Sequence, residues 1–253
     1  MSVNFLLLCF LAILMWKIGG SKGWLALTAL GLNLLFMFIM LILINWGFSP
    51  VILTIITSLI ITSMNLFFIN GLTTKTIVAF FSSAIILIFM VFLIYICVNF
   101  MQLQGLPTEE LMEMDMYSLN IGISFLSLSI SVMIMSAVGA INDIAISVSA
   151  AIGELHQSNN ELTKDNLFNS GMIIGKDILS STMNTIIFAL IGGQIALFIW
   201  VSDLNYSFAH FINTKILVSQ WVTLLISGIA ITLTIPITSY LMIYRIKKTD
   251  VST

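Results

Sequence analysis

The sequence predicts an all-α fold, a polytopic bundle of transmembrane helices that forms one integral membrane domain over residues 1–253. Hydrophobic residues make up 59% of the chain and charged residues only 8%, whereas a soluble domain carries roughly 25% charged residues. The few charges are also grouped, so that long stretches contain none. These stretches are long enough for helices to cross ~30 Å of hydrocarbon at about 1.5 Å per residue. We therefore expect the chain to lie in a lipid bilayer.

About seven spans are expected, and their apolar runs are unbroken, which favours helices over the alternating strands of a membrane barrel. They lie near residues 3–16, 24–44, 51–69, 76–100, 119–141, 182–200 and 216–244, with the fifth extending to about residue 154. No basic segment or cleavage pattern accompanies the first run, so it is predicted to be a retained span and not a signal peptide. Residues 168–181 are predicted to form a cytoplasmic interfacial helix between spans five and six.

The basic residues predict the orientation of the chain. If the amino terminus lies outside, eight of the nine Lys and Arg residues fall on the cytoplasmic side and Lys215 alone lies outside. The eight are Lys17, Lys22, Lys75, Lys164, Lys176, Arg245, Lys247 and Lys248. Basic residues concentrate on the cytoplasmic side of membrane proteins. We therefore expect the amino terminus outside and the carboxyl terminus inside.

Several classes of function are disfavoured by what the sequence lacks. It contains no phosphate-binding loop, nucleophile elbow or zinc-protease motif, and no basic patch suited to nucleic acid. Its two histidines, His156 and His210, fall on opposite predicted sides of the membrane, so no histidine metal cluster is expected within one chain. We predict no nucleic-acid partner, no cofactor, no metal and no catalytic residue. An intramembrane enzyme ranks third among the functions considered.

The apolar pattern is interrupted between Gly139 and Thr185, and Asp143 is the central residue of this region. On a helix that continues to Glu154, small and polar residues form one stripe: Ser129, Ser136, Gly139, Asp143, Ser147, Ala150 and Glu154. A carboxylate within a membrane helix costs several kcal/mol unless it is paired, hydrated or protonated. Two hypotheses follow, a structural pairing with a base such as Lys176 and a relay that carries protons or ions.

The relay hypothesis names polar residues on both sides of the interruption. The candidates are Asp143, Asn142, Glu154, Lys176, Asp177, Asn184 and Thr185. Lys176 has a second interpretation, an interfacial anchor whose ammonium group reaches the lipid headgroups. Small residues within apolar helices permit close helix contacts, and on that ground Gly139, Gly192 and Gly193 are predicted packing positions.

A set of short polar motifs occurs in fixed order along the chain. They are Gly19-Gly20-Ser21-Lys22-Gly23, Asn70-Gly71, Lys75-Thr76, Gly139-Ala140-Ile141-Asn142-Asp143-Ile144-Ala145, Glu154-Leu155, Ser170-Gly171, Gly175-Lys176-Asp177-Ile178 and Asn184-Thr185. Together, from about Gly19 to Gly193, they resemble the YibE/YibF family of bacterial membrane proteins. This resemblance implies a multi-pass protein of the bacterial cytoplasmic (inner) membrane. It does not imply a biochemical activity.

A weaker, architectural likeness concerns the SecD/SecF branch of the RND superfamily. An aspartate four residues after a glycine, an acidic residue eleven positions later and a cytoplasmic helix are similar to that branch, where the corresponding aspartate conducts protons. The likeness implies a proton relay at Asp143, with Lys176 as its basic partner. The longest predicted outer loop, residues 102–118, is too short to replace the large outer domain of such transporters. A partner subunit would have to supply it.

Taken together, these expectations favour a subunit of a membrane transporter or exporter, proton-coupled and RND-like, that works as a homo- or hetero-oligomer with a related membrane subunit. The alternative is a non-transporting scaffold or assembly subunit that stabilises a partner membrane protein. The two differ in one respect that a structure can address. In a transporter the face of the helix that carries Asp143 opens to water, whereas in a scaffold packed side chains seal it.

Overall fold

The computed structural model describes residues 3–101, 103, 124–159, 162–203 and 207–250, and every regular element in these ranges is helical. The helices are α1 (Val3–Asn45), α2 (Pro50–Ser63), α3 (Thr74–Phe100), α4 (Phe125–Ser158), α5 (Lys164–Asp203), α6 (Phe208–Ile212) and α7 (Lys215–Asp250). A π-helical turn, Met64–Phe68, continues α2. The all-α prediction is confirmed. The predicted outer loop and the start of the fifth span lie almost wholly outside the described residues.

Six of the described helices are long and apolar enough to cross a membrane. They are Val3–Asn45, Pro50–Phe68, Thr74–Phe100, Phe125–Ser158, Lys164–Ile195 and Leu217–Ile246. The expected number was about seven, and the difference arises in α1. This helix contains both of the first two predicted spans in 43 residues.

The two predicted spans within α1 are separated at Gly20, whose φ of 56° and ψ of −133° are not helical. Positive φ is strained for residues with a Cβ atom and free of that strain for glycine. The carbonyl of Met15 lies against Gly23, although a straight helix would separate residues eight apart by about 12 Å. The chain therefore bends sharply at Gly20.

Local sequence explains where three of the other helices begin. Pro50 opens α2, where the N–H that proline lacks would have no helical partner. The side chain of Thr73 accepts from the backbone N–H of Thr76, and the Thr76 hydroxyl accepts from the N–H of Thr73, so a capping box opens α3. At the start of α4, the hydroxyl of Ser124 accepts from a backbone N–H one turn on.

The core lies where α3, α4 and α7 pack against one another. Most of its largest fully buried side chains are isoleucines, among them Ile86 and Ile94 of α3, Ile144 and Ile152 of α4, and Ile231 of α7. The helices α1 and α2 add to this core through contacts of α2 with α4. The helix α5 packs on α4 and α7. The contacts of α2 with α1 and α4 form the site described below.

The helix α5 differs from the predicted interfacial helix at residues 168–181, because it runs without interruption for 40 residues, about 60 Å. It packs antiparallel to α7 through close contacts in regular register: Gly171 beside Ser239, Gly175 beside Ile235, and Met183 beside Gly228. This register places the stretch alongside the apolar middle of α7. It is the first half of one long helix that packs on α7, not a separate interfacial helix.

Candidate functional site

A polar cavity of about 310 Å³ lies between α1, the end of α2 and α4. Most of its polar lining is amide: Asn33 from α1, Asn65 and Asn70 from the end of α2, and Asn142 from α4. The carboxyl group of Asp143 completes this set. The remaining lining residues are apolar: Ala26, Ala29, Leu30, Leu66, Ile69 and Ile146. Such a concentration of polar groups is costly within apolar spans and marks a candidate site.

Asn142 joins α4 to α2. Its side chain is 3% exposed, and Nδ2 donates a hydrogen bond to the hydroxyl of Thr62 over 3.0 Å. The Oδ1 atom of Asn142 is buried and has no hydrogen-bond partner. A buried amide oxygen without a partner costs free energy, about 1–3 kcal/mol. The cavity therefore contains an acceptor that the chain itself does not satisfy.

A second amide pair joins α1 to the π-helical turn. Asn33 Nδ2 donates to Asn65 Oδ1 over 2.7 Å, and Asn65 lies within the turn Met64–Phe68. The Oδ1 atom of Asn33 is also buried without a hydrogen-bond partner. Short π-helical turns inside α-helices are frequent at functional sites. Here the turn carries the asparagine that holds Asn33 at the cavity wall.

Asp143 follows Asn142 and lies about 100° further round α4, so its side chain is exposed while that of Asn142 is buried. Gly153, where α4 meets Lys75 and Met242, is about 15 Å further along the helix. Among the described residues, no Lys, Arg or His side chain lines the cavity. The exposed carboxyl group thus lies beside the cavity without a basic neighbour among the described lining residues.

A larger cavity, of about 680 Å³, opens at one end of the bundle. Lys22, Lys75 and Glu154 lie in its wall, and the Lys75 ammonium is 3.3 Å from a Glu154 carboxylate oxygen. Because both side chains are partly or largely exposed, this ion pair contributes little to stability. Asn70 and Ile146 line both cavities, so the polar space around Asp143 adjoins this opening.

The predicted relay residues do not form one cluster. Asn142 and Asp143 share the inner cavity, and Glu154 lies at the opening. The other four lie exposed on α5: Lys176, Asp177, Asn184 and Thr185. No residue of α5 lines the inner cavity, and no ion pair joins Lys176 to Asp143 in the described part of the chain. The Thr185 hydroxyl donates to the carbonyl of Ser181 in its own helix.

The predicted packing glycines lie in open space among the described residues. A Cβ atom on Gly139, Gly192 or Gly193 would have no neighbour within 4 Å. The close helix contacts occur at other glycines. A Cβ on Gly171 would lie 2.7 Å from Ser239 Oγ, and one on Gly175 would overlap Ile235. Packing through the three predicted glycines stays a prediction about a partner subunit.

We expect Gly192→Leu to weaken association between subunits without unfolding the chain, because the leucine has free space within the monomer and would separate helices only at a subunit contact. Size-exclusion chromatography with light scattering in mild detergent measures the change. Gly31→Leu, on α1, is the matched control, since its position is also open. If Gly192→Leu elutes with wild-type mass, no close contact forms there.

Sequence reasoning identified Asp143 and Asn142 but missed Asn33, Asn65 and Thr62 as their neighbours. The sequence does mark Asn33 as a candidate, because it is an amide within an otherwise apolar predicted span. Polar residues in such spans are costly. The pairing of Asn33 with Asn65, by contrast, depends on how α1 packs against α2. Hydropathy along the chain carries no information about that packing.

The fold defines a class, the polytopic helical membrane proteins, and the site adds a carboxyl group beside a cavity that is lined in part by amides. Within that class the chain belongs to the YibE/F family, because the family described as YibE/F-like protein matches residues 7–248, nearly the whole chain. Comparisons with curated proteins and with solved structures gave no match. The resemblance expected from the polar motifs is confirmed. The SecD/SecF likeness stays a prediction.

Proposed function

We propose that this chain is a subunit of a membrane transporter or exporter in which Asp143 carries the coupling proton or ion. The observation that supports this proposal most is the cavity beside Asp143, whose other described lining residues are amide or apolar. A buried structural ion pair would need a base, and none lines that cavity among the described residues. An acidic group held in this way is typical of ion pathways in membrane proteins.

The adjoining opening supports a route between Asp143 and water. The two cavities share Asn70 and Ile146, and Lys75 and Glu154 lie at the outer one. In the proposed mechanism an ion or proton enters beside the Lys75–Glu154 pair and passes Asn70 to reach Asp143. Lys22 and Lys75 outnumber Glu154 at the opening, so it does not attract cations, and selection takes place further in, at the asparagines and Asp143.

A partner subunit is part of the proposal because α5 presents polar groups on its open side. Lys176 and Asp177 are exposed, and the register with α7 brings them level with Leu233 and Thr234, near the middle of an apolar span. Charges at that depth facing lipid would cost at least about 2.5 kcal/mol each. A homologous or identical membrane subunit, or water held between subunits, would remove that cost.

A scaffold without transport activity is the second candidate. The open glycines favour it, because Gly139, Gly192 and Gly193 have space for a partner helix and no contact within the chain. The exposed side chain of Asp143 favours transport, since packed side chains do not seal it. The discriminating experiment compares proton movement into proteoliposomes for wild type and Asp143→Asn, under an imposed membrane potential and with an entrapped pH-sensitive dye.

We further propose the bacterial cytoplasmic membrane as the location, with the amino terminus outside. Three polar motifs contribute Lys22, Lys75 and Glu154 to one cavity. This is expected if the three residues lie on the same side of the membrane. We expect a reporter that is active only in the cytoplasm to be active when fused after Thr253. The same reporter fused after Gly47, in the turn between α1 and α2, should be inactive. The opposite pattern would reverse the orientation.

A further inference from the structure

One side of α5 carries a heptad pattern, which we call the α5 seam. Six residues follow one another at alternating spacings of four and three positions: Ile173, Asp177, Ser180, Asn184, Ile187 and Ile191. This spacing forms one narrow stripe along a helix, as the a and d positions of a coiled coil do. Ile187 is half-buried and the other five side chains are exposed. The seam lies opposite to Gly171 and Gly175, through which α5 packs on α7.

The middle of the α5 seam is polar and has no partner in the described part of the chain. Asp177, Ser180 and Asn184 form no side-chain hydrogen bond or ion pair there, and the same holds for Lys176, which is exposed beside Asp177. The register with α7 places these side chains along the apolar span Leu217–Ile246. Lipid tails offer neither donors nor acceptors, so polar side chains at such depth bond across to other helices. The seam therefore requires a partner helix with matching polar groups.

The charges beside the seam are complementary to themselves. Two copies of one membrane protein insert in the same orientation, so a two-fold axis along the membrane normal would bring equal levels of two α5 helices together. Lys176 and Asp177 are separated by about 100° around the helix and lie on either side of the line of contact. The two-fold rotation then sets Lys176 of each subunit opposite Asp177 of the partner subunit. Two reciprocal ion pairs would replace four unpaired charges.

Asn184 is complementary to itself in the same way. Its amide carries both donors and an acceptor, so two copies that meet at a two-fold axis can each donate to the other. A single asparagine in a heptad position fixes the register and the number of helices in a coiled coil. Isoleucines at both ends of the seam supply apolar contacts. A different partner chain would need an asparagine and an inverted pair of charges at the same levels.

We propose that the α5 seam is the contact between two copies of this chain, which form a parallel two-fold dimer with α5 against α5. Asn184 lies at its centre, and Lys176 and Asp177 form its ion pairs. The inference rests on the partner subunit in the proposed function, and it states that this partner is a second copy. It does not depend on which ion the dimer moves.

The first test is disulfide cross-linking of the full chain in membranes, in a background with Cys9→Ser and Cys97→Ser. Asn184→Cys is expected to give a covalent dimer under mild oxidation, because the axis brings the two Cβ atoms close together. Ala189→Cys is the matched control, since it is exposed on the same helix but points away from the seam. No cross-link at Asn184→Cys, or equal cross-linking of both variants, would overturn the inference.

The second test measures association by energy transfer between labelled subunits in liposomes. Asp177→Lys places like charges opposite each other, so its dissociation constant is expected to rise at least about tenfold. Adding Lys176→Asp exchanges the two charges in every subunit and restores the reciprocal pairs, so association should return to near the wild-type value. Monomeric wild type, or a double variant that associates as weakly as Asp177→Lys, would overturn the inference.

An uncharged variant covers the case in which Asp177→Lys inserts poorly. Asn184→Leu favours insertion and removes only the amide, and it is expected to weaken association about tenfold through the loss of the interhelical hydrogen bonds. Ala189→Leu should associate as wild type does. Equal association of Asn184→Leu and wild type would contradict the central role of Asn184 and overturn the proposed contact.

The two proposals fail in different ways. If the chain is monomeric and proton movement still depends on Asp143, the dimer inference is overturned and the transport proposal stands. If Asn184→Cys cross-links as expected but no proton crosses proteoliposomes, transport is overturned. The dimer then stands as part of a scaffold.

Discussion

Asp143→Asn is expected to abolish ion-coupled activity while leaving insertion and folding intact. The amide keeps the size and hydrogen-bonding capacity of the carboxyl group but cannot carry a charge or a proton. Proton movement in proteoliposomes should fall to less than about a tenth of wild type, as expected when an intramembrane relay group is lost. Membrane abundance and the unfolding midpoint in detergent should change little, because no base in the described cavity is left unpaired.

Two further variants make this expectation falsifiable. Asp165→Asn removes an exposed carboxylate from the first turn of α5 and should leave ion movement unchanged. Asp143→Ala removes the charge and the polar group together, so it separates a structural role from a relay. Unchanged ion movement in Asp143→Asn would contradict the relay. Loss of membrane abundance in both Asp143 variants would favour a structural role.

Gly175→Leu is expected to destabilise the bundle more than any other glycine substitution on α5. A Cβ atom at this position would overlap the side chain of Ile235, so a leucine must force α5 away from α7. Overpacking of this kind costs about 1–3 kcal/mol, and more where the backbone has to move. We expect a clear fall in the unfolding midpoint in detergent, together with lower abundance in membranes.

The matched control is Gly192→Leu, which makes the same substitution on the same helix at a position with open space. It should unfold at the wild-type temperature when measured in monomeric form. Equal midpoints for Gly175→Leu and wild type would mean that the α5–α7 contact is looser than described. Equal destabilisation by both variants would mean that leucine on α5 acts without regard to packing.

Much of the fold could be predicted from the sequence, because apolar runs of membrane length specify helices whatever their partners are. The all-α class, the family and the approximate number of spans follow from these runs and from the polar motifs. Two features of the helices could not be predicted in this way. Hydropathy predicted separate elements at residues 168–181 and 182–200, but the backbone of α5 is continuous. Conversely, the bend at Gly20 lies inside one helix whose two halves were predicted as separate spans.

The candidate site was predicted in part. Asp143 and Asn142 stand out because ionisable and amide groups are expensive in apolar helices. Their neighbours depend on tertiary packing, and periodicity along one helix cannot supply it. Thus Lys176 was a reasonable partner for Asp143 by charge, yet α5 lies outside the cavity that Asp143 shares with α1 and α2. The Lys75–Glu154 ion pair also depends on tertiary packing, because the two residues are 79 positions apart in the sequence.

The unbroken course of α5 gives this helix the mechanics of a lever. The close contact of Met183 with Gly228 of α7 would act as a fulcrum, and Gly192 lies about 14 Å further along the same rod. A tilt of about 10° around the fulcrum would displace Gly192 by about 2 Å. Movement within the subunit at the α5–α7 contact would thereby be transmitted, enlarged, to the surface proposed for a neighbouring subunit.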